Sequence, residues 1–155
     1  MSVCTFFGHR ECYGLDAEVL RSAIKDLISQ GVTEFLVGHQ GQFDGMVRSC
    51  LRSLQTQYPN IRYSVVLAYL PTEKREFEDL SDTMYPEIEG HPRFAIERRN
   101  KWMIEASDCC ICYINHTWGG AYKFARMAMR RGLKLRNLGS ATIEWETTGS
   151  EVATQ

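Results

Sequence analysis

No apolar run in this 155-residue chain approaches the roughly 18 residues that a membrane-spanning helix requires. The first residues, Met1-Ser2-Val3-Cys4, lead into an apolar segment without the basic stretch of a secretory leader. Charge of one sign is lacking too. Lys and Arg number 18 against 19 Asp and Glu, so no global field draws the chain to nucleic acid or anionic lipid. An anion site has to be built locally. With 4 prolines and 12 glycines the chain is neither collagen-like nor low in complexity. It carries no G-x-x-x-x-G-K-[ST] phosphate loop, and no G-x-G-x-x-G follows its first strand, so the common triphosphatase and dinucleotide readings lack their motifs. Cysteine is present, at 6 residues, but not at bridge or zinc spacing. Cys109, Cys110 and Cys112 share one apolar run whose alternate side chains face opposite ways. Cys4 and Cys50 also sit in apolar segments, which leaves Cys12 as the one thiol expected at the surface. Reduced, buried thiols point to a cytoplasmic protein with no membrane contact.

What the sequence does contain is an alternation of strand and helix patterns. Residues 3–7 are apolar and end at Gly8-His9-Arg10; Leu20, Ala23, Ile24, Leu27 and Ile28 then fall on one helical face, closed by Gly31. Phe35-Leu36-Val37 ends at Gly38-His39-Gln40-Gly41, and Met46, Val47, Cys50, Leu51 and Leu54 repeat the helical spacing. Residues 63–70 predict a third strand covered on both faces. Periodicity fails over residues 71–92, which are expected to form a mobile flap. A helix over 94–106, a strand over 108–114, a helix from Gly119-Gly120 to Gly132 and a strand over 133–138 complete the pattern. Right-handed crossovers then require a doubly wound, Rossmann-like parallel α/β sheet of about five strands in the order 3-2-1-4-5. The expected organisation is a single domain over 1–146 and a flexible polar tail over 147–155.

Ligands of such sheets bind beyond the carboxyl ends of the strands, where strand order reverses. Gly8-His9-Arg10, Gly38-His39-Gln40-Gly41 and Trp118-Gly119-Gly120 all follow strands there, and glycine admits positive φ and close backbone approach to an anion at a helix start. A phosphate-bearing ligand suits that rim. Tyr122 and Lys123 follow on the first turn of the last long helix; Lys123 either adds charge to the site or is a solvated surface lysine. Arg99, beside Asn100, either reaches the rim and clamps phosphate or lies exposed and paired to Glu97 or Glu105; the first alternative assumes that Ile96, Met103 and Asn100 face the core. His9 and His39 each follow a strand-ending glycine and would face one another, with Asp44 or His116 nearby. No Cys/His cluster supports a metal there, and neither metal nor cofactor is expected. Phe43, Trp118 and Tyr122 are candidates to stack a base.

The run Arg99-Asn100-Lys101-Trp102-Met103, then Ser107-Asp108, an apolar strand and Gly119-Gly120 before an Ala-rich helix resembles the SLOG superfamily of Rossmann-like nucleotide-binding domains. Thr5-Phe6-Phe7-Gly8-His9-Arg10 and Gly38-His39-Gln40-Gly41-Gln42-Phe43-Asp44 look most like its YpsA-like branch, and the resemblance spans residues 3–138. It implies a nucleotide-like small molecule as partner and a homo-oligomer. The superfamily includes the LONELY GUY phosphoribohydrolases, which split the N-glycosidic bond of nucleoside monophosphates; Arg99, Met103 and Asp108 match their pattern, but Arg126 stands where that pattern carries its catalytic Glu, next to Ala125. Glycosidic cleavage needs a carboxylate. Asp44 and Glu11 are the candidate substitutes, Asp44 being equally suited to capping a helix. The leading expectation is therefore a nucleotide-binding sensor or sequestering module, with an N-glycosidase as the alternative. A DNA-processing accessory factor, suggested by DNA-binding relatives in the superfamily, is disfavoured by the even charge. The run Arg126-Met127-Ala128-Met129-Arg130-Arg131 is read as the solvated face of a helix.

Overall fold

A computed structural model of the chain describes residues 2–68, 83–84 and 94–143. The elements run β1 (Ser2–Gly8), α1 (Ala17–Ser29), β2 (Val32–Val37), α2 (Gly41–Gln57), β3 (Arg62–Val66), β4 (Thr83–Met84), α3 (Ala95–Glu105), β5 (Cys109–Tyr113), α4 (Gly120–Arg130) and β6 (Lys134–Asn137). All strand pairs are parallel, in the order β4-β3-β2-β1-β5-β6. This is the doubly wound α/β sheet that alternation requires, with the expected 3-2-1-4-5 order and one added edge strand. The added strand is Thr83–Met84, beside Val65 and Val66 of β3. Pairing at that point departs from the structureless flap expected over 71–92; the rest of that segment, like the tail over 147–155, lies outside the described residues. Strand β3 is also shorter than expected, ending at Val66.

The apolar runs of the central strands are continuous because each strand feeds two cores. Phe6 enters the core beneath α1 and α2 with Cys4, Phe35 and Leu51, whereas Phe7 enters the core beneath α3 and α4 with Leu36, Met103 and Phe124. Strand β5 and the residue that follows it divide likewise, Cys109, Ile111 and Tyr113 to one side and Cys110, Cys112 and Ile114 to the other. Burial of one such side chain is worth about 1.5–3 kcal/mol. The helices follow from their caps and faces. Asp16 caps α1 by accepting from the Glu18 N–H at 2.8 Å, Leu20, Ala23 and Ile24 are buried, and Gly31 leaves the helix at φ +100°.

Two expectations about exposure fail. Cys12 is buried at 2% exposure, because the loop after β1 folds back on α2 and sets its Sγ 3.3 Å from Met46 Sδ. Ile96 is 42% exposed: α3 turns Ala95, Arg99, Asn100, Met103 and Ile104 inward instead. Asn100 and Met103 face inward as expected, while Ala95 takes the place of Ile96 and the stripe includes the charged Arg99, which apolar periodicity does not count.

Candidate functional site

Strand order reverses between β1, followed by α1 and β2 on one side, and its other neighbour β5. The two chains separate just past Gly8 and Tyr113, where the His9 N–H donates to the Tyr113 carbonyl at 3.3 Å. A cleft of about 730 Å³ opens at that divergence, lined by the loop from Gly8 to Gly14 on one wall and by Asn115, His116, Trp118, Gly119 and Gly120 on the other. A smaller cavity of about 190 Å³ lies beside it, lined among others by Gln40, Asp44, Arg99, Asn100, Ile96 and Phe124. Gly8, Arg10, Gly120 and Ala121 line both. The rim glycines thus converge, as the switch-point geometry demands.

The loop after β1 is held from α2. Its Arg10 carbonyl accepts from the Gln42 N–H at 2.7 Å, and the Cys12 N–H donates to Gln42 Oε1 at 2.8 Å. Gly41 permits this approach: it sits at φ +84°, and a Cβ there would stand 2.9 Å from Arg10 Cα. Gly8 serves packing, for a Cβ at that position would run into the Phe43 ring. Phe43 is correspondingly fully buried beneath the rim, stacked on Tyr113 with ring centroids 6.4 Å apart. It belongs to the core and cannot stack a base. On the opposite wall Gly119, at φ +94°, turns the chain into α4, whose start has no side-chain cap. Its first N–H groups are therefore available to an anion.

Asp44 is buried on the first turn of α2, not at its N-cap, which is Gln40. Its carboxylate accepts from the Gln40 N–H at 3.0 Å. Burial raises its pKa to about 6, against the lowering effects of that hydrogen bond and of the Arg99 and Arg48 charges. Arg99 is 3% exposed, which excludes the surface-pair alternative. Its Nε donates to Asn100 Oδ1 at 2.7 Å and its Nη1 to the Val66 carbonyl at 3.1 Å, so the guanidinium ties α3 to the end of β3 while lining the smaller cavity.

Histidine pairing differs from expectation as well. His9 stacks on His116, centroids 3.8 Å apart, and not on His39, which is exposed and absent from the described lining of either cavity. The Asn115 N–H donates to His9 Nε2 at 2.9 Å, and burial, then His116, lowers the His9 pKa. His116 in turn stacks on Trp118 at 3.7 Å. Among the described residues no group of three or more His, Cys, Asp or Glu is placed to hold a metal. Lys123 pairs with Glu97 at 2.9 Å, lowering the Glu97 pKa. The Arg126 guanidinium lies 5.5 Å from the Tyr122 ring. None of Tyr122, Lys123 and Arg126 is among the described residues lining the two cavities, and Ala125 is buried in the core.

Of the expected site residues, Gly8, His9, Arg10, Glu11, Trp118, Gly119 and Gly120 line the larger cleft, and Gln40, Asp44, Arg99 and Asn100 the smaller cavity. Gly38 stands behind them, against Asp44 and Arg99. Sequence reasoning missed Tyr13, Asn115 and the site role of His116 without metal. Asn115 and His116 follow β5 directly, so the switch-point rule itself was the signal that could have found them.

No protein-family profile matches the chain, and no curated protein matches it in sequence. A solved structure of DNA processing protein A from Helicobacter pylori, described for its single-stranded DNA binding mode, superposes with a TM-score of 0.63 at 13% identity. The superposition covers 99% of this chain and 72% of that one. At that identity the likeness is one of fold.

Proposed function

We propose that this chain binds a nucleotide or nucleotide-derived ligand at the carboxyl rim of the sheet, as a sensor or sequestering module. One observation carries the reading: the two cavities meet at the uncapped start of α4, beside the exposed Arg10. A phosphate on those N–H groups is favoured by the helix dipole and by the guanidinium together. Membership of the SLOG superfamily is proposed on the order of the motifs, and a homo-oligomer goes with it. Titration of the purified protein with AMP and other nucleoside monophosphates in a calorimeter tests the reading. Arg10→Ala is expected to weaken binding about tenfold or more, the range for a charged hydrogen bond; absence of heat with all the monophosphates overturns it. Light scattering reads the assembly state.

A second reading has its own support. The structural neighbour binds single-stranded DNA, which weighs against the exclusion of nucleic acid argued from net charge. Under this reading the same cleft holds a nucleotide within a strand, and a short oligothymidylate that binds more tightly than any mononucleotide is its signature. An N-glycosidase remains the catalytic alternative, with Asp44 or Glu11 as its carboxylate.

A further inference from the structure

Trp118 lines the cleft at 68% exposure, yet its ring is not loose. It rests on His116 at 3.7 Å with planes 16° apart, and His116 rests on His9 at 3.8 Å with planes 18° apart. Both imidazoles are anchored in turn. His9 Nε2 accepts from the Asn115 N–H at 2.9 Å, and His116 Nδ1 bonds the Trp118 carbonyl at 2.9 Å. The three rings form a column rooted at the end of β1 and capped by an indole.

Because Trp118 and His9 stack on the same imidazole, they occupy its opposite faces, and the outer indole face is left to solvent. Tyr13, 82% exposed, and Arg10 line the same cleft from the loop after β1. Trp118 immediately precedes Gly119 and Gly120, so the indole and the first N–H groups of α4 are separated by no more than neighbouring residues. A ring stacked on the indole and a phosphate on the helix start are thus within reach of one nucleotide. A pre-stacked indole has already lost the rotamer freedom that stacking would cost.

We infer that the outer face of Trp118 is a nucleobase subsite, with His116 a positioning residue that holds the indole square to the cleft. The inference rests on the nucleotide reading above and adds where the base goes. The base comes from a free nucleotide or from a single strand, and the two sources are told apart by experiment.

The test compares ribose 5-phosphate, the four common nucleoside monophosphates and a short oligothymidylate as probes of the full chain. Calorimetry reads affinity, and the difference in tryptophan fluorescence between the wild type and Trp118→Phe isolates the indole. Wild-type protein is expected to prefer at least one monophosphate to ribose 5-phosphate by about tenfold, as base stacking on an aromatic allows, with quenching of the Trp118 signal by that monophosphate and not by ribose 5-phosphate. Trp118→Leu and His116→Ala should each abolish the preference for the monophosphate over ribose 5-phosphate, and Trp118→Phe should retain most of it. An oligothymidylate that quenches Trp118 and competes with the monophosphate identifies a strand as the source; quenching by the monophosphate alone identifies a free nucleotide. Equal binding of ribose 5-phosphate and every monophosphate overturns the subsite but leaves the phosphate site standing. A preference that survives Trp118→Leu also overturns it. No binding of any probe removes the nucleotide reading and the subsite with it.

Discussion

Asp44 and Arg99, one from the first turn of α2 and the other from α3 on the opposite layer, converge over Gly38: a Cβ there would stand 2.7 Å from Asp44 Oδ2 and 2.8 Å from Arg99 Nη1. Gly38 is not among the glycines of positive φ. Residue 38 is therefore small for the sake of contact and not of conformation, and the contact joins the two helical layers beyond the end of β2. Gly38→Ala should destabilise the protein by about 1–3 kcal/mol, the cost of overpacking a filled interior. Gly120→Ala, with nothing within 4 Å of its Cβ, should stay within about 0.5 kcal/mol of the wild type. Urea denaturation of both variants checks the contrast; equal losses would mean that the Asp44 and Arg99 side chains yield freely.

Asp44 also gives stability a pH dependence opposite to that of an ordinary paired carboxylate. Its pKa in the fold, about 6, lies above the value of about 3.9 expected when unfolded. The protonated form is thus favoured by folding. Its contribution is fully present below about pH 4 and is lost as pH rises through about 6, because the native state binds the extra proton across that window. Other carboxylates titrate in the same range, so the comparison must be with Asp44→Asn. The unfolding free energy of the wild type should fall relative to that variant by up to about 1.4 kcal/mol per pH unit between pH 4 and 6. Parallel pH profiles would show that burial does not govern this carboxyl.

Phe43 beneath Gly8 supplies a coupling test. Gly8→Ala drives a methyl into the ring, and Phe43→Leu relieves that clash while itself costing packing. The double variant should be more stable than the sum of the two single losses allows, by about 0.5–3 kcal/mol, the range for residues in contact. Strict additivity in denaturant unfolding would separate the two positions.

The sheet was legible because its signals are local and redundant. Apolar runs of strand length, helical stripes ending at Gly31 and glycines after strands all agree, and handedness then leaves one order for the main strands. Strand β4 was not legible, since Thr83–Met84 carries too few residues for any period. At the site, positions following strands were readable, while side-chain direction was not. Phe43 and Trp118 are both aromatics beside rim glycines, yet one is wholly buried and the other 68% exposed. Burial of Phe43 depends on the room that Gly8 leaves for its ring, a contact far apart in sequence. The same holds for His9, whose partner proved to be His116 on the loop after β5 and not His39 on the loop after β2.

Glycosidic cleavage supplies the last prediction. Arg126, which replaces the phosphoribohydrolase Glu in the sequence pattern, lies over Tyr122 and away from the described lining of the groove, so it neither supplies nor opposes charge at a bound sugar. The carboxylates available to the groove are Glu11 in the larger cleft and Asp44 in the smaller cavity. An oxocarbenium-like centre needs an anion beside it. Asp44 already accepts the Gln40 N–H, and the Arg99 and Arg48 charges beside it offset its own. Glu11 is exposed to water, where its charge is screened. Incubation with AMP at pH 7.5 should therefore release no adenine above an enzyme-free control in chromatography. Release that follows an ionisation near pH 6 and disappears in Asp44→Asn would instead make Asp44 the acid–base group, its pKa of about 6 placing its proton exchange in that range.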